Sequence, residues 1–178
     1  EHLLQALARP ACAPVHLAVI GTGPELDPLR ALATQLDIER RVHFLGYVSD
    51  VRKWQMLHCA DAYLSSTMHE GFGLVYLEAM AAGLPVITPD HGGQTDFLID
   101  GETGYLVSSG DIDALAGAIA RLVTHPDLAQ GMRESNRCRS VQHRIERCAE
   151  AYETLYARLI ASERSSYSRR AEMTSLTR

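Results

Sequence analysis

Seven residues separate Glu70 from Glu78, and they include a glycine pair and the start of an apolar helical pattern. Gly71 and Gly73 allow the backbone to approach a bound molecule closely. A helix that begins near Gly73 leaves its first N–H groups unpaired and directs its positive dipole end at the loop, which favours phosphate. Because a carboxylate can accept two hydrogen bonds from a vicinal diol, the pattern predicts one extended ligand: diol, diphosphate and second polyol, as in a sugar nucleotide.

Each glutamate also has a simpler explanation. Glu70 alone is explained better as an acidic residue that favours the helix dipole. Glu78 is harder to explain in this way, because its neighbours are mostly apolar and a charge among them needs a partner. The two carboxylates together with the glycines favour a ligand site.

The surrounding sequence alternates short apolar runs with helical patterns. Strands are predicted at 15–21, 41–46, 60–66, 84–89 and 103–109. Helices are predicted at 25–37, 51–59, 73–83, 92–100, 112–125, from Asp127 onwards and at 141–160, with Asp50 and either Asp111 or Asp113 as N-caps. The fold class is therefore α/β, a mostly parallel sheet flanked by helices, followed by C-terminal helices. The first strand, 15–21, is expected to be buried.

In such a sheet, ligands bind beyond the carboxyl ends of the strands. The loops that follow the strands, at 21–24, 46–50, 67–73 and 90–95, are also rich in glycine and polar residues. The glycine loop with Gly21 and Gly23 resembles half of a dinucleotide fingerprint, and the full G-x-G-x-x-G is missing. All four loops are expected at one ligand-binding edge.

Composition argues against several other classes of protein. The four cysteines form no C-x-x-C pair and no zinc-ligand spacing, and no apolar run reaches the length of about 18 residues that a membrane span needs. The net charge is −5, but residues 132–178 carry ten basic and six acidic residues. A solvated helix face explains this basic stretch better than nucleic-acid binding, and contact with a membrane surface stays open. We expect no metal, no cofactor and a cytoplasmic location.

Five blocks of sequence resemble the glycosyltransferase 4 family of GT-B glycosyltransferases. The segment STMHEGFGLVYLEAMAAGLPVI is similar to the E-x7-E motif of that family, and VIGTGPELDPLRALATQL, RVHFLGYV, CADAYLSS and GGQTDFLIDGETGYLV are similar to its other blocks, in order. The resemblance implies two Rossmann-like domains that face a cleft, and this chain is similar to the second, donor-binding domain. It also implies retaining transfer of a sugar from a nucleoside diphosphate, without a metal.

The same resemblance implies a role for each matching position. Glu70 should contact the transferred sugar and act in catalysis, and Glu78 should hold the ribose. The resemblance also places Phe72, Gly73, Leu74 and Val75 at the sugar and the diphosphate, and Tyr47, Val48 and Asp50, together with Lys53, beside the base. Asp50 is explained equally well as an N-cap. From the residues themselves, we add Gly21, Gly23, Gly71 and His69 as donor-binding candidates, and a packed or exposed histidine explains His69 equally well.

The chain departs from the family pattern mainly before Glu1, where the family has a central strand and the Arg and Lys that bind the diphosphate. We therefore expect part of a longer protein, with residues 1–161 forming a donor domain that lacks its first strand, and 162–178 a disordered tail. Without the central strand the chain should be poorly stable, and without an acceptor domain, in cis or in trans, it should not transfer sugar. The alternatives are a non-catalytic nucleotide-binding module, a subunit of a split enzyme, or a sugar-nucleotide epimerase. Donor sugar, base, acceptor and oligomeric state stay open.

Overall fold

The computed structural model describes the backbone of residues 1–175 and the side chains of residues 1–162. The chain divides into two compact units, Glu1–Ser140 and Val141–Arg178. All of the described strands and most of the helices belong to the first unit, which is an α/β layer structure.

Five short parallel strands form two sheets in the first unit. The strands are β1 (Leu17–Ile20), β2 (Val42–Gly46), β3 (Tyr63–Leu64), β4 (Val86–Pro89) and β5 (Gly104–Val107). Strand β1 pairs with β2, and the second sheet has the order β3-β4-β5. The α/β class and the parallel direction of the strands are confirmed, whereas the expected single sheet is divided because β1 and β3 do not pair with each other.

Seven α-helices lie within the described residues 1–175. They are α1 (His2–Leu7), α2 (Leu26–Gln35), α3 (Asp50–Cys59), α4 (Leu74–Ala81), α5 (Ile112–Thr124), α6 (Pro126–Ser140) and α7 (Ile145–Ser175). The segment 92–100 contains a short 3-10 helix, Gly93–Asp96, instead of a regular helix. Helix α7 contains neither glycine nor proline and continues to Ser175, so most of the predicted disordered tail, 162–178, is helical.

Helix ends follow the usual capping chemistry, with one correction. Ser49, and not Asp50, is the N-cap of α3, because the Ser49 hydroxyl accepts a hydrogen bond from the Arg52 N–H at 3.3 Å. Asp50 is the first residue of the helix, where its carboxylate favours the dipole. Asp111 caps α5 by accepting from the Ala114 N–H at 2.8 Å.

The sheet β1-β2 is covered on one face only. Leu17 and Val19 of β1 and Phe44 of β2 pack against the buried core, whereas the alternate residues Ile20 and Leu45 are 40% and 42% exposed. The prediction that the first strand is buried is therefore wrong for one of its two faces. A parallel sheet normally has helices on both faces, so this open face is an unusual feature of the unit.

Strand β4, in contrast, is completely buried between its two neighbours. Helix α6 is attached to this region through Asn136, whose buried amide donates to the carbonyls of Leu84 and Thr103, both at 2.7 Å. These carbonyls lie at the amino ends of β4 and β5. The loops that form the candidate site lie at the opposite, carboxyl ends of the strands.

Candidate functional site

The loop between β3 and α4 presents a row of unpaired backbone donors. Within residues 1–162, the N–H groups of Phe72, Gly73, Leu74 and Val75 form no hydrogen bond, and the first capping bond is from the Tyr76 N–H to the Gly73 carbonyl at 2.9 Å. Phe72, Leu74 and Val75 are also exposed, at 48%, 68% and 42%. These N–H groups at the N-terminus of α4 form the kind of site that binds phosphate.

Gly73 gives this loop its shape. Its φ is +87°, in the left-handed region, and a Cβ at this position would lie 2.7 Å from Cε2 of Tyr76. The loop after β4 packs against the same segment, because the Gly93 N–H donates to the Glu70 carbonyl at 3.2 Å. A Cβ on Gly93 would collide with the Gly71 carbonyl, so the two glycine-containing loops are in direct backbone contact.

A chain of buried hydroxyls lies beneath the loop. The Thr88 hydroxyl donates to Tyr76 Oη at 3.1 Å, and the Tyr76 hydroxyl donates to Ser65 Oγ at 3.0 Å. Ser65 in turn donates to Thr67 Oγ1 at 3.1 Å. Tyr76 and Thr88 are fully buried, so these bonds satisfy groups that water does not reach. The chain connects β4, α4 and the end of β3, and it fixes the first turn of α4 against the carboxyl ends of both strands.

Glu78 lies one turn further along α4 and is paired with Lys53 of α3. Glu78 Oε1 and Lys53 Nζ are 2.7 Å apart, and the two side chains are 30% and 28% exposed. Asp50 lies on the other side of Lys53, with Oδ1 3.5 Å from Nζ. The hydrogen bond to Glu78 is the main cause of a raised pKa for Lys53, which therefore stays charged through the neutral range.

Glu70 lies half-buried at the other end of the loop, next to an exposed His69. Tyr63, in β3, is partly buried. Burial raises the pKa of Tyr63 to about 12, with smaller contributions in the same direction from Tyr76, Glu70 and Glu78. Tyr63 is therefore neutral at physiological pH and lies within electrostatic range of both carboxylates.

The segment after β2 leads directly into α3, the helix that carries Lys53. Tyr47 is 84% exposed, Val48 is partly buried and Asp50 is the first residue of α3. Tyr47 and Val48 thus lie at the carboxyl end of β2.

Gly21 and Gly23 form the loop after β1. The Gly21 N–H donates to the Gly46 carbonyl at 2.8 Å, which joins this loop to the one that contains Tyr47. The loop lines an open cavity of about 260 Å³ between β1 and the start of α2. No described contact joins Gly21 or Gly23 to Glu70 or Glu78, so the structure groups these glycines with the β2 loop.

Sequence reasoning locates Glu70, Glu78 and the glycine loop, but it misses two kinds of residue. Lys53 is expected beside the base, and its pairing with Glu78 is not foreseen, although a carboxylate in an apolar helix indicates that a partner exists. Tyr76, Ser65 and Thr88 read as ordinary helix and strand residues, and nothing in their spacing indicates the hydroxyl chain.

Two negative observations concern the described residues only. They contain no group of three or more His, Cys, Asp or Glu side chains arranged to hold a metal ion. They also contain no helix that is both long and apolar enough to cross a membrane.

The fold and the edge site together define a class: an α/β domain of the Rossmann type with an exposed helix N-terminus at the carboxyl ends of its strands. Comparison with known proteins makes this more specific. Residues 1–139 match the family described as glycosyl transferases group 1, and the chain belongs to that family. It is accordingly a transferase domain with the GT-B type of fold.

Named relatives agree with this assignment. The chain is 36% identical over 151 residues to N-acetyl-alpha-D-glucosaminyl L-malate synthase of Bacillus anthracis, covering 84% of this chain and 39% of the relative. It is 37% identical over 132 residues to the lipopolysaccharide core biosynthesis glycosyltransferase LpsE of Rhizobium meliloti, covering 74% and 38%. The chain thus spans about two fifths of the length of these relatives.

A solved structure gives the same result for the fold. The crystal structure of Anabaena Alr3699/HepE in complex with UDP superimposes with a TM-score of 0.76 at 27% identity. The superposition covers 88% of this chain and 44% of the Anabaena protein.

Proposed function

We propose that this chain is the donor-binding part of a glycosyltransferase that uses a nucleoside-diphosphate sugar. In this proposal Glu78 binds the ribose hydroxyls, and the N–H groups of Phe72–Val75 meet the diphosphate and the transferred sugar. Glu70, with His69 beside it, contacts hydroxyls of that sugar close to the reacting carbon.

The observation that carries the proposal is the row of unpaired N–H groups at the start of α4, with one carboxylate before it and one after it. Donors in the middle suit a diphosphate, and acceptors at both ends suit hydroxyl groups. The similar Anabaena structure is a complex with UDP, which supports a nucleotide as the ligand. The exposed ring of Tyr47 and the backbone of Val48 then lie beside the base, and the Gly21–Gly23 loop borders the same end of the site.

Three finer features of the reaction belong to the proposal and rest on the family resemblance. Transfer retains the configuration of the sugar, and no cofactor or metal takes part. Backbone donors and the dipole of α4 help to stabilise the departing diphosphate in place of a metal ion. The acceptor is bound by a second Rossmann-like domain, in cis or in trans, which together with α4 closes the cleft.

Isothermal titration calorimetry can separate the roles of the two glutamates. UDP, GDP and ADP, and the sugar nucleotides UDP-glucose, GDP-mannose and ADP-glucose, are titrated into the chain and its Glu70→Gln and Glu78→Gln variants. We expect Glu78→Gln to weaken the diphosphate and its sugar nucleotide alike, by about tenfold, because both contain the ribose. Glu70→Gln should weaken only the sugar nucleotide.

Asp127→Asn, in the first turn of α6, is the matched control for loss of one acidic charge. It should leave all affinities unchanged. If Glu70→Gln has no effect on any sugar nucleotide while nucleotides still bind, the chain is a non-catalytic nucleotide-binding module. If no nucleotide binds, the proposed function is wrong.

A further inference from the structure

The ion pair between Lys53 and Glu78 joins two helices that are distant in sequence. Lys53 lies in the first half of α3, and Glu78 lies in the middle of α4. Their 2.7 Å contact is the shortest ion pair that involves either α3 or α4 among the described residues. Both side chains are more than two thirds buried, so solvent screens this pair less than an exposed one.

Only one oxygen of the Glu78 carboxylate is occupied. Oε1 accepts the hydrogen bond from Lys53, whereas Oε2 accepts none from any of residues 1–162. A carboxylate held at one oxygen presents the other in a defined direction. Fixing a flexible side chain before the ligand binds saves part of the rotamer entropy that binding would otherwise cost.

Lys53 has few other connections. Its second contact, to Asp50, is longer at 3.5 Å, and the Asp50 side chain is 91% exposed, so it restrains Lys53 weakly. The ammonium group therefore belongs mainly to Glu78. Because its ammonium group is already bonded to Glu78, Lys53 is less available to contact the base.

We propose that Lys53 is a positioning residue for Glu78: it holds Oε1 so that Oε2 faces the ribose hydroxyls, and it contributes to nucleotide affinity through the ribose. This inference rests on the proposed function, in which Glu78 binds the ribose. It assigns to Lys53 an effect that is independent of the base, in contrast to the sequence-based expectation that Lys53 lies beside the base.

A double-mutant cycle tests the proposal. Affinities of UDP, GDP and ADP, and of their 2′,3′-dideoxy forms, are measured for the 178-residue chain and for Lys53→Met, Glu78→Gln and the double variant. We expect Lys53→Met to weaken each ribonucleotide that binds by a similar factor of about ten. The loss should disappear with the dideoxy nucleotides and in the Glu78→Gln background, because the hydroxyls or their acceptor are then absent.

Two further variants distinguish positioning from general effects. Lys53→Arg should recover most of the affinity, since a guanidinium can still donate to Oε1. Arg52→Met removes a positive charge from the same helix, at a side chain that donates to Gln55 and not to Glu78, and should leave affinity unchanged. Circular dichroism and thermal unfolding establish that each variant is folded.

The contrary outcomes are distinct. A Lys53→Met loss that depends on the base, or that persists with dideoxy nucleotides or in the Glu78→Gln background, would mean that Lys53 contacts the base directly and would overturn the proposal. An equal loss in Arg52→Met would indicate a general electrostatic effect and would overturn it too. If the unaltered chain binds no nucleotide, the proposed function fails and this inference fails with it.

Discussion

At the scale of single residues, Gly73 determines whether the loop before α4 can form. Its left-handed backbone is one that other residues adopt only with strain, and the ring of Tyr76 occupies the space that a side chain would need. The Tyr76 ring cannot move away easily, because it is fully buried and its hydroxyl is bonded to Ser65 and Thr88. The positive φ of Gly73 and the packing of the Tyr76 ring therefore each require glycine at this position.

Gly73→Ala should destabilise the chain by about 2–4 kcal/mol, from the positive φ and the overpacking against Tyr76 together. Gly71→Ala is the matched control, because a Cβ on Gly71 would meet no atom within 4 Å and its φ is not positive. Urea unfolding monitored by circular dichroism measures both variants. Equal stability of the two variants would contradict the role assigned to Gly73.

The residues of the site were predictable to the extent that their function depends on local sequence. The two glutamates and the glycine loop lie within a single segment, so their spacing alone indicates a helix N-terminus between two acceptors. The Lys53–Glu78 pair and the Tyr76 hydroxyl chain join segments 11 to 25 residues apart. Such contacts depend on how α3, α4 and the strands pack, which no local pattern shows.

At the scale of elements, the two sheets differ in how well they are protected. Strand β4 has a neighbour on each side and is buried along its whole length. Strands β1 and β2 have only each other, and the face that carries Ile20 and Leu45 is open to solvent. Burial of apolar side chains therefore contributes less to stability, per residue, in β1-β2, because only one face of that sheet is buried.

Native-state hydrogen exchange should show this difference. We expect the hydrogen-bonded amides of β1 and β2 to exchange at least tenfold faster than those of β4, because the smaller sheet opens without global unfolding. The measurement is amide exchange followed by NMR or mass spectrometry at neutral pH. Uniform protection across all five strands would show that the two sheets unfold as one cooperative unit, contrary to this expectation.

Among the elements, the sequence predicts the strands and most helices, because β-branched runs and helical periodicity are local signals. The patterns of the individual strands do not by themselves show the division into two sheets, since strand pairing is decided by tertiary packing. A smaller difference concerns the N-cap of α3, which is Ser49 and not the predicted Asp50. Both residue types are good N-caps, and the backbone geometry of Ser49 decides between them.

At the scale of the whole molecule, the chain corresponds to about two fifths of its glycosyltransferase relatives. The acceptors and N–H donors proposed for the ribose, diphosphate and transferred sugar all come from this part, between Phe72 and Glu78 and at Glu70. We therefore expect nucleotide recognition to be a property of this chain, and acceptor binding and the completed transfer to require the second domain.

The central claim is that the carboxyl edge of the strands binds a nucleoside diphosphate, and an NMR titration tests it most directly. Amide signals of the ¹⁵N-labelled chain are followed as UDP, GDP or ADP is added. We predict saturable shifts for at least one nucleotide at Phe72–Val75 and around Lys53, while signals of α6, which packs at the amino ends of β4 and β5, stay unchanged. Absence of shifts with all three nucleotides, or shifts confined to α6 or α7, would contradict the proposed site.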